Sequence, residues 1–255
     1  MSLLEQFITL NVFAFIMTFV RIGTATMMMP GIGDSFVSGN IRLYFAMAFS
    51  VVLTPLVAVH LPSPIPAGPL FFFLIFIEFL IGALIGTVAR ILMSATDTAG
   101  MIISFQAGLS NAQLFNPQMA GQGSLIGAFM SVTAAVLLFT LNLHHLMIMG
   151  LVESYTRFPV GEIPDVGSMA EVITNMVATS FLIGCQMAAP FLILVTILYT
   201  AMGVLSKLMP QLQIFMIAMP VQILLSLLIM MGVLSAMLLY FVGAYRDALG
   251  TFLGG

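Results

Sequence analysis

Charge is nearly absent from this chain of 255 residues: six Lys and Arg and nine Asp and Glu against 61% apolar side chains. A soluble domain needs a quarter to a third of its surface as Lys, Arg, Asp and Glu, and this composition cannot supply one. The solvent of such a chain is lipid, or other protein within lipid. An all-α polytopic membrane protein follows, with room for about six spans at ~20 residues each. Residues 1–255 read as one membrane domain, because the longest polar stretch, Gly150 to Ala170, is too short for a soluble one.

The formal net charge of −3 gives no reason to expect a nucleic-acid partner. Cys185 is the single cysteine, which excludes an internal disulfide and leaves a buried, inert thiol as the plain expectation. No basic residue precedes Arg21, so the first apolar segment is expected to stay rather than be removed as a signal peptide. No cofactor or metal is expected.

Hydropathy, punctuated by Pro and Gly, gives six helical segments: Phe7 to Met29, Ile41 to Val59, Leu70 to Met93, Leu125 to Leu143, Val172 to Met202 and Val221 to Val242. Helices are the expectation because no segment alternates as a barrel strand does, and lipid admits only these two solutions. Pro190 is expected to kink the fifth segment, and Pro190, Pro210 and Pro220 to interrupt the C-terminal half. Gly, Ser, Thr, Asn and Gln recur inside the apolar runs, and Met occurs 22 times. Met suits surfaces that must repack, so these helices read as buried against other protein. Positive charge is almost evenly divided between alternate loops, and favours Arg42, Arg90 and Lys207 facing the cytoplasm over Arg157 and Arg246.

Several places carry candidate chemistry. Glu78 and Arg90 lie in one segment, about 18 Å apart along a helix, so each needs a partner elsewhere. For Glu78 a buried structural bond is preferred to a proton relay, because no second carboxylate or His accompanies it. For Arg90, snorkelling to the helix end competes evenly with a functional role. Gly82 and Gly86 form a small-xxx-small face fit for close helix packing, and the face with Glu78 is read as serving assembly.

The segment from Gly100 to Gly123 holds no charge but six amides: Gln106, Asn111, Gln113, Asn116, Gln118 and Gln122. Phe105, Leu114, Phe115 and Met119 lie between them. A neutral, Gly-flanked, amide-and-aromatic stretch suits a loop tucked into a protein-lined cavity, with a short interfacial helix as the alternative.

Two further strings and one further function class bear on the reading. Gly31-Ile32-Gly33-Asp34 matches the GxGD string of intramembrane aspartyl proteases, whose chemistry needs a second Asp, here Asp97. A Gly-rich turn is the preferred reading. His144 and His145 close the fourth segment as a polar interfacial end. A small-molecule transporter would show internal repeats and paired intramembrane charges, and neither is legible.

The motifs taken together resemble the FliR family of flagellar export proteins and its virulence type III secretion counterpart, SctT. The resemblance covers nearly the whole chain. It rests on Arg21, Pro30 and Arg42; on Glu78, Gly82 and Gly86 in IEFLIGALIG; on Gly100, Gln106, Gly108 and Pro117 in AGMIISFQAGLSNAQLFNPQ; and on Lys207, Pro210, Gln211, Phe215 and Pro220 in LSKLMPQLQIFMIAMPVQI. Asn116 stands where the family often has an acid, and Lys207 where Arg is commoner.

The resemblance implies a non-enzymatic subunit of an export gate in the bacterial inner membrane, at the flagellar basal body. Its partners would be FliP-like and FliQ-like subunits, a FlhB-like protein and unfolded export substrates. The helices would form inclined hairpins in a hetero-oligomeric assembly. By position, the loop that plugs the closed pore would be Gln106 to Gly123, with Gln106, Gly108, Asn111, Leu114, Phe115, Asn116, Pro117 and Met119 as plug residues. Arg21, Arg42, Glu78, Gly82, Gly86, Arg90, Lys207, Pro210, Gln211, Phe215 and Pro220 would serve assembly or gating.

Overall fold

A computed structural model describes residues 3–58, 68–109, 124–209 and 214–254. Those residues form seven helices and no strand: α1 Leu3–Met28, α2 Gly39–Val57, α3 Pro69–Gln106, α4 Leu125–Thr140, α5 Leu143–Arg157, α6 Val166–Leu208 and α7 Ile214–Gly254. Five of them are long and apolar enough to cross a membrane, and the bent pair α4–α5 makes up to six. The all-α polytopic fold expected from composition is the fold observed.

The internal hydroxyls explain how polar residues tolerate these apolar helices. Thr18, Thr26, Ser50 and Thr54 are buried, and each donates to the carbonyl four residues earlier, at 2.6–2.8 Å. A hydroxyl that bonds back to its own helix leaves no polar group to be satisfied in an apolar surrounding.

The helices depart from the expected segments in several places. Helix α3 does not stop at Met93 but runs to Gln106. Hydropathy falls there because Ser94, Thr96 and Asp97 interrupt the apolar run, yet Thr96 donates into the helix at the Met93 carbonyl, so the backbone continues. The first residues of the supposed neutral loop, Gly100 to Gln106, are therefore helical.

The fourth segment breaks near Asn142, which adopts a left-handed φ of 59°, and α5 leaves α4 at 74°. His144 and His145 accordingly open a second helix instead of closing the first. Helices α6 and α7 pass through Pro190 and Pro220, so neither proline interrupts its element. Pro210 lies outside the described residues.

Lengths also matter. At 1.5 Å per residue, the 38, 43 and 41 residues of α3, α6 and α7 extend over roughly 57, 65 and 62 Å. A hydrocarbon core is ~30 Å thick, so these helices lie steeply inclined or reach beyond it.

The contacts cluster in two compact units. The first comprises Met1–Leu92, Leu138–Val177 and Ala248–Gly255; the second comprises Met93–Leu137 and Ala178–Asp247. In the first unit α1 packs on α2, and α3 runs parallel to α1. Phe71 faces Phe13, Gly82 meets Arg21, and Gly86 meets Ala25 and Met28. In the second unit the C-terminal part of α3 packs on α4, α6 and α7 through small and hydroxyl-bearing residues.

Candidate functional sites

The first unit is organised around a buried ion pair. Arg21 of α1 and Glu78 of α3 are 0% and 1% exposed. They meet in a two-pronged contact: Arg21 Nε donates to Glu78 Oε2 at 2.6 Å and Nη2 to Oε1 at 2.9 Å. The same guanidinium donates through Nη1 to the Ser154 carbonyl (3.0 Å) and hydroxyl (3.3 Å), and through Nη2 to the Phe158 carbonyl (2.8 Å). All five donors of the arginine are engaged.

Ser154 and Phe158 stand at the C-terminal end of α5, where the Ser154 carbonyl also accepts from the Phe158 N–H at 2.9 Å and the Phe158 carbonyl lies past the last helical bond. Arg21 therefore also places a positive charge on the negative end of that helix. The Tyr155 ring lies 4.0 Å from the guanidinium carbon, in a cation–π contact. Phe13, Met17, Val57, Leu74 and Val160 close the surroundings with Tyr155.

This arrangement corrects the expectation that no paired intramembrane charges exist. The pair escaped notice because its members lie 57 residues apart, on different helices. It is not a transport site. A guanidinium saturated on every donor and sealed from solvent has nothing left with which to bind or relay.

Gly82 and Gly86 explain how α1 and α3 come close enough for the pair. A Cβ on Gly82 would stand 2.3 Å from the Arg21 carbonyl oxygen, and one on Gly86 2.7 Å from Met28 Cβ. The small-xxx-small face is thus turned against α1 of the same chain.

Just beyond the C-terminal end of α1, Asp34 Oδ2 accepts from the Gly31 N–H at 2.7 Å, and its Oδ1 lies 3.5 Å from Arg90 Nη2. Gly31 has φ +84°, and a Cβ there would strike the Phe139 ring, so only glycine fits. Arg42 closes the same turn by donating to the Val37 and Gly33 carbonyls, both at 3.1 Å. The GxGD string is a turn whose carboxylate holds its own loop. Arg90 is half-exposed at this end, and its partner is the turn.

The second unit carries the stems of the neutral segment. Helix α3 ends in a C-terminal motif in which Gly108 (φ +75°) donates to Phe105 and Leu109 to Ser104, each at 3.1 Å. Gly108 is thus a helix terminator, and Gln106 the last helical residue. Facing this end, Ser124 opens α4. Its Oγ lies 2.5 Å from Ser104 Oγ, donates to the Gly100 carbonyl at 3.0 Å, and accepts from the Gly127 N–H at 3.0 Å. Gly100 and Gly127 sit so close that a Cβ on the former would lie 2.2 Å from the Cα of the latter.

From α7, Gln222 donates to the Gln106 carbonyl at 2.5 Å, satisfying one of the open carbonyls at the end of α3. Asn111, Leu114, Phe115, Asn116, Pro117 and Met119 lie outside the described residues, as do Pro210 and Gln211. Phe215 lies within α7. Pro220 is exposed on α7, and exposed Lys207 occupies the last turn of α6.

Sequence reasoning passed over Ser104, Ser124, Gly127, Ser154, Tyr155, Phe158 and Gln222. The only available signal was polar or small residues inside apolar runs, which does not say who meets whom. Cys185 is half-buried rather than buried. No group of three metal-ligating side chains is found among the described residues. The His144 and His145 rings lie 4.2 Å apart without a third ligand.

An all-α, multi-pass membrane protein with a sealed ion pair inside its first unit is the class defined by this fold. Residues 12–248 match the family described as bacterial export proteins, family 1, and the chain belongs to that family. It is 38% identical over 244 residues to flagellar biosynthetic protein FliR of Caulobacter vibrioides, covering 95% of this chain and 96% of the relative. Flagellar biosynthetic protein FliR of Bacillus subtilis is 28% identical over 87% of this chain and 86% of its own length. The Yop proteins translocation protein T of Yersinia pestis is 31% identical over 57% of this chain and 56% of its own.

Proposed function

We propose that the chain is a channel-forming subunit of the flagellar type III protein export gate, passing unfolded substrates across the bacterial inner membrane. The observation that carries this reading is the likeness to a flagellar biosynthetic protein over nearly the full length of both chains. The partners are FliP-like and FliQ-like gate subunits and a FlhB-like protein. The subunit performs no catalysis. It carries no phosphate-binding loop, so energy comes from its partners and the proton gradient.

The plug of the closed pore is the segment from Gln106 to Gly123. An uncharged segment can occupy a narrow cavity without the cost of burying an ion. The bonded stems at Ser104 and Ser124, tied to α7 through Gln222, support this reading because a plug needs a fixed base. Leu114, Phe115 and Met119 exclude water and ions, then yield to a passing chain.

Conductance of the purified complex in a planar bilayer is the test. Shortening the segment should leave the complex assembled and leaky to small ions, and Phe115→Asp should act in the same direction. An assembled, shortened complex as tight as the parent removes the segment from the gate. The virulence system is the second reading, favoured by the likeness to the Yop translocation protein. Restored motility in a flagellar strain lacking its own FliR decides for the flagellum, and restored effector secretion alone for the virulence apparatus.

A further inference from the structure

A groove of about 630 Å³ opens in the first unit between α1, α2 and α3. Val20, Gly23 and Met27 line it from α1, Ala46 from α2, and Phe72 and Phe76 from α3. Its volume lies within the ~300–1,000 Å³ range of ordinary ligand clefts, but its lining is almost wholly hydrocarbon. The one hydroxyl in reach, on Thr24, is spent on the Val20 carbonyl at 2.7 Å. Along α1 the lining runs from Phe19 to Met28, which spans roughly 14 Å. Gly23 leaves the floor open, since a Cβ there would meet only the edge of the Phe19 ring, at 3.8 Å.

Among the described residues, charge that is not sealed within the protein stands at one end of the groove. Arg42 precedes Ala46 by one helical turn on the same face of α2. Arg90 follows by one turn from Thr87 to Gly86, which pack on Met28 at the groove's end. Asp34 is the carboxylate at this end and is shared between Arg90 and the Gly31 N–H. Arg42 meets only the Val37 and Gly33 carbonyls and has no carboxylate partner among the described residues. Two guanidiniums against one carboxylate leave this end positive.

We infer that this groove binds an anionic phospholipid, with an acyl chain along Gly23 and the Phe72–Phe76 face and the phosphate at Arg42. A long hydrocarbon channel with a cationic mouth matches the two ends of such a molecule. A soluble anion would have no use for the channel, and a neutral lipid none for the unbalanced guanidinium. A basic pocket between spanning helices is where anionic headgroups are held. The site is separate from the ion pair at Arg21 and from the stems of the neutral segment. It stands or falls independently of the export reading.

Native mass spectrometry of the full-length protein, with its copurifying partners, exchanged into detergent with phosphatidylglycerol or phosphatidylcholine provides the test. One phosphatidylglycerol should remain per chain. Gly23→Leu fills the floor and should cut retention of either lipid about tenfold, the scale of forcing extra methylenes into occupied space. Arg42→Gln should lower the preference for phosphatidylglycerol about fivefold, the effect of one basic residue on an anionic headgroup. Phosphatidylglycerol with a photoreactive acyl chain should label the peptides carrying Phe19–Met28 and Phe72–Phe79. Equal retention of both lipids by the parent protein would overturn the inference. So would labelling confined to other helices, or crosslinking of a photoreactive residue at Phe76 to another subunit instead of lipid.

Discussion

The two units stabilise the same helix by opposite means. Along its N-terminal half, α3 is held by a buried ion pair with every donor satisfied and by Gly82 and Gly86 pressed against α1. Along its C-terminal part it is held by serine hydroxyls, a glutamine amide and a glycine-to-glycine contact. Neutral hydrogen bonds contribute about 0.5–1.5 kcal/mol each. Breaking one side of a buried ion pair costs ~3–5 kcal/mol. The first arrangement locks one geometry. The second can be exchanged for other bonds at modest cost.

The sharpest way to break this contrast is to remove one member of the ion pair. Glu78→Ala leaves a buried guanidinium uncompensated, and a loss of ~3–5 kcal/mol is a large part of ~5–15 kcal/mol of total stability. The chain should all but vanish from membranes by immunoblot. Arg21→Met combined with Glu78→Leu should recover part of the level, since no charge is then stranded. Recovery should stay incomplete because the Phe158 carbonyl at the end of α5 has lost its donor and the Ser154 carbonyl one of its two. Full recovery would show that capping α5 contributes nothing and that Arg21 serves Glu78 alone.

The glycine contacts come next. Gly86→Leu and Gly100→Val each force a side chain into space held by neighbouring backbone, and overpacking of this kind costs about 1–3 kcal/mol. For Gly86→Leu, complex yield and secretion should fall together, measured by affinity purification with partners and by export of a substrate. Normal assembly with lost secretion would move that face from packing to gating. Gly100→Val should separate α3 from α4 and loosen the stems, detected as faster amide exchange at Gly127 with little loss of the first unit.

Parts of this were legible beforehand, for physical reasons. The separation of Glu78 from Arg90 excluded their pairing, and each has a different partner. The spacing of Gly82 and Gly86 marked a close-packing face, although its partner within the chain was not readable. The Arg21–Glu78 pair was not legible because pairing across 57 residues leaves no local pattern, and two of its acceptors are backbone carbonyls, which every residue possesses. Helix α5 was missed because Glu153, Ser154, Tyr155, Thr156 and Arg157 look like a loop in hydropathy. They are helical because that end is capped by Arg21, while Arg157 itself caps the end of α7 at the Phe252 carbonyl, 3.0 Å away.

The hydroxyl cluster of the second unit should give a smaller effect. Ser124→Ala removes bonds to Ser104, Gly100 and Gly127, and Gln222→Leu frees the Gln106 carbonyl. At roughly 1 kcal/mol per neutral bond, both variants should assemble. They should also raise small-ion conductance of the complex above that of the parent. Unchanged conductance in both would mean that the stems are passive and that whatever closes the pore is anchored elsewhere.

The smallest effect belongs to Asp165, at the entry to α6. It is fully exposed, and its carboxylate is held below the ordinary range chiefly by the Ser168 hydroxyl, then by the Gly167 and Ser168 N–H groups. These bonds favour the charged form, so folding lowers the proton affinity of the group. Its contribution is complete above the ordinary carboxyl value of 3.8 and is lost as pH falls through the lower folded value. Asp165→Asn should therefore cost little at neutral pH, because an amide oxygen still accepts from the backbone at a helix start. It should also remove the small acid-induced loosening that the parent shows below pH ~4. Amide exchange at Gly167 and Ser168, followed between pH 3 and 6 in parent and variant, isolates this end of α6 from the buried ion pair. If the two proteins lose protection together as the solution is acidified, Asp165 is not the group that titrates.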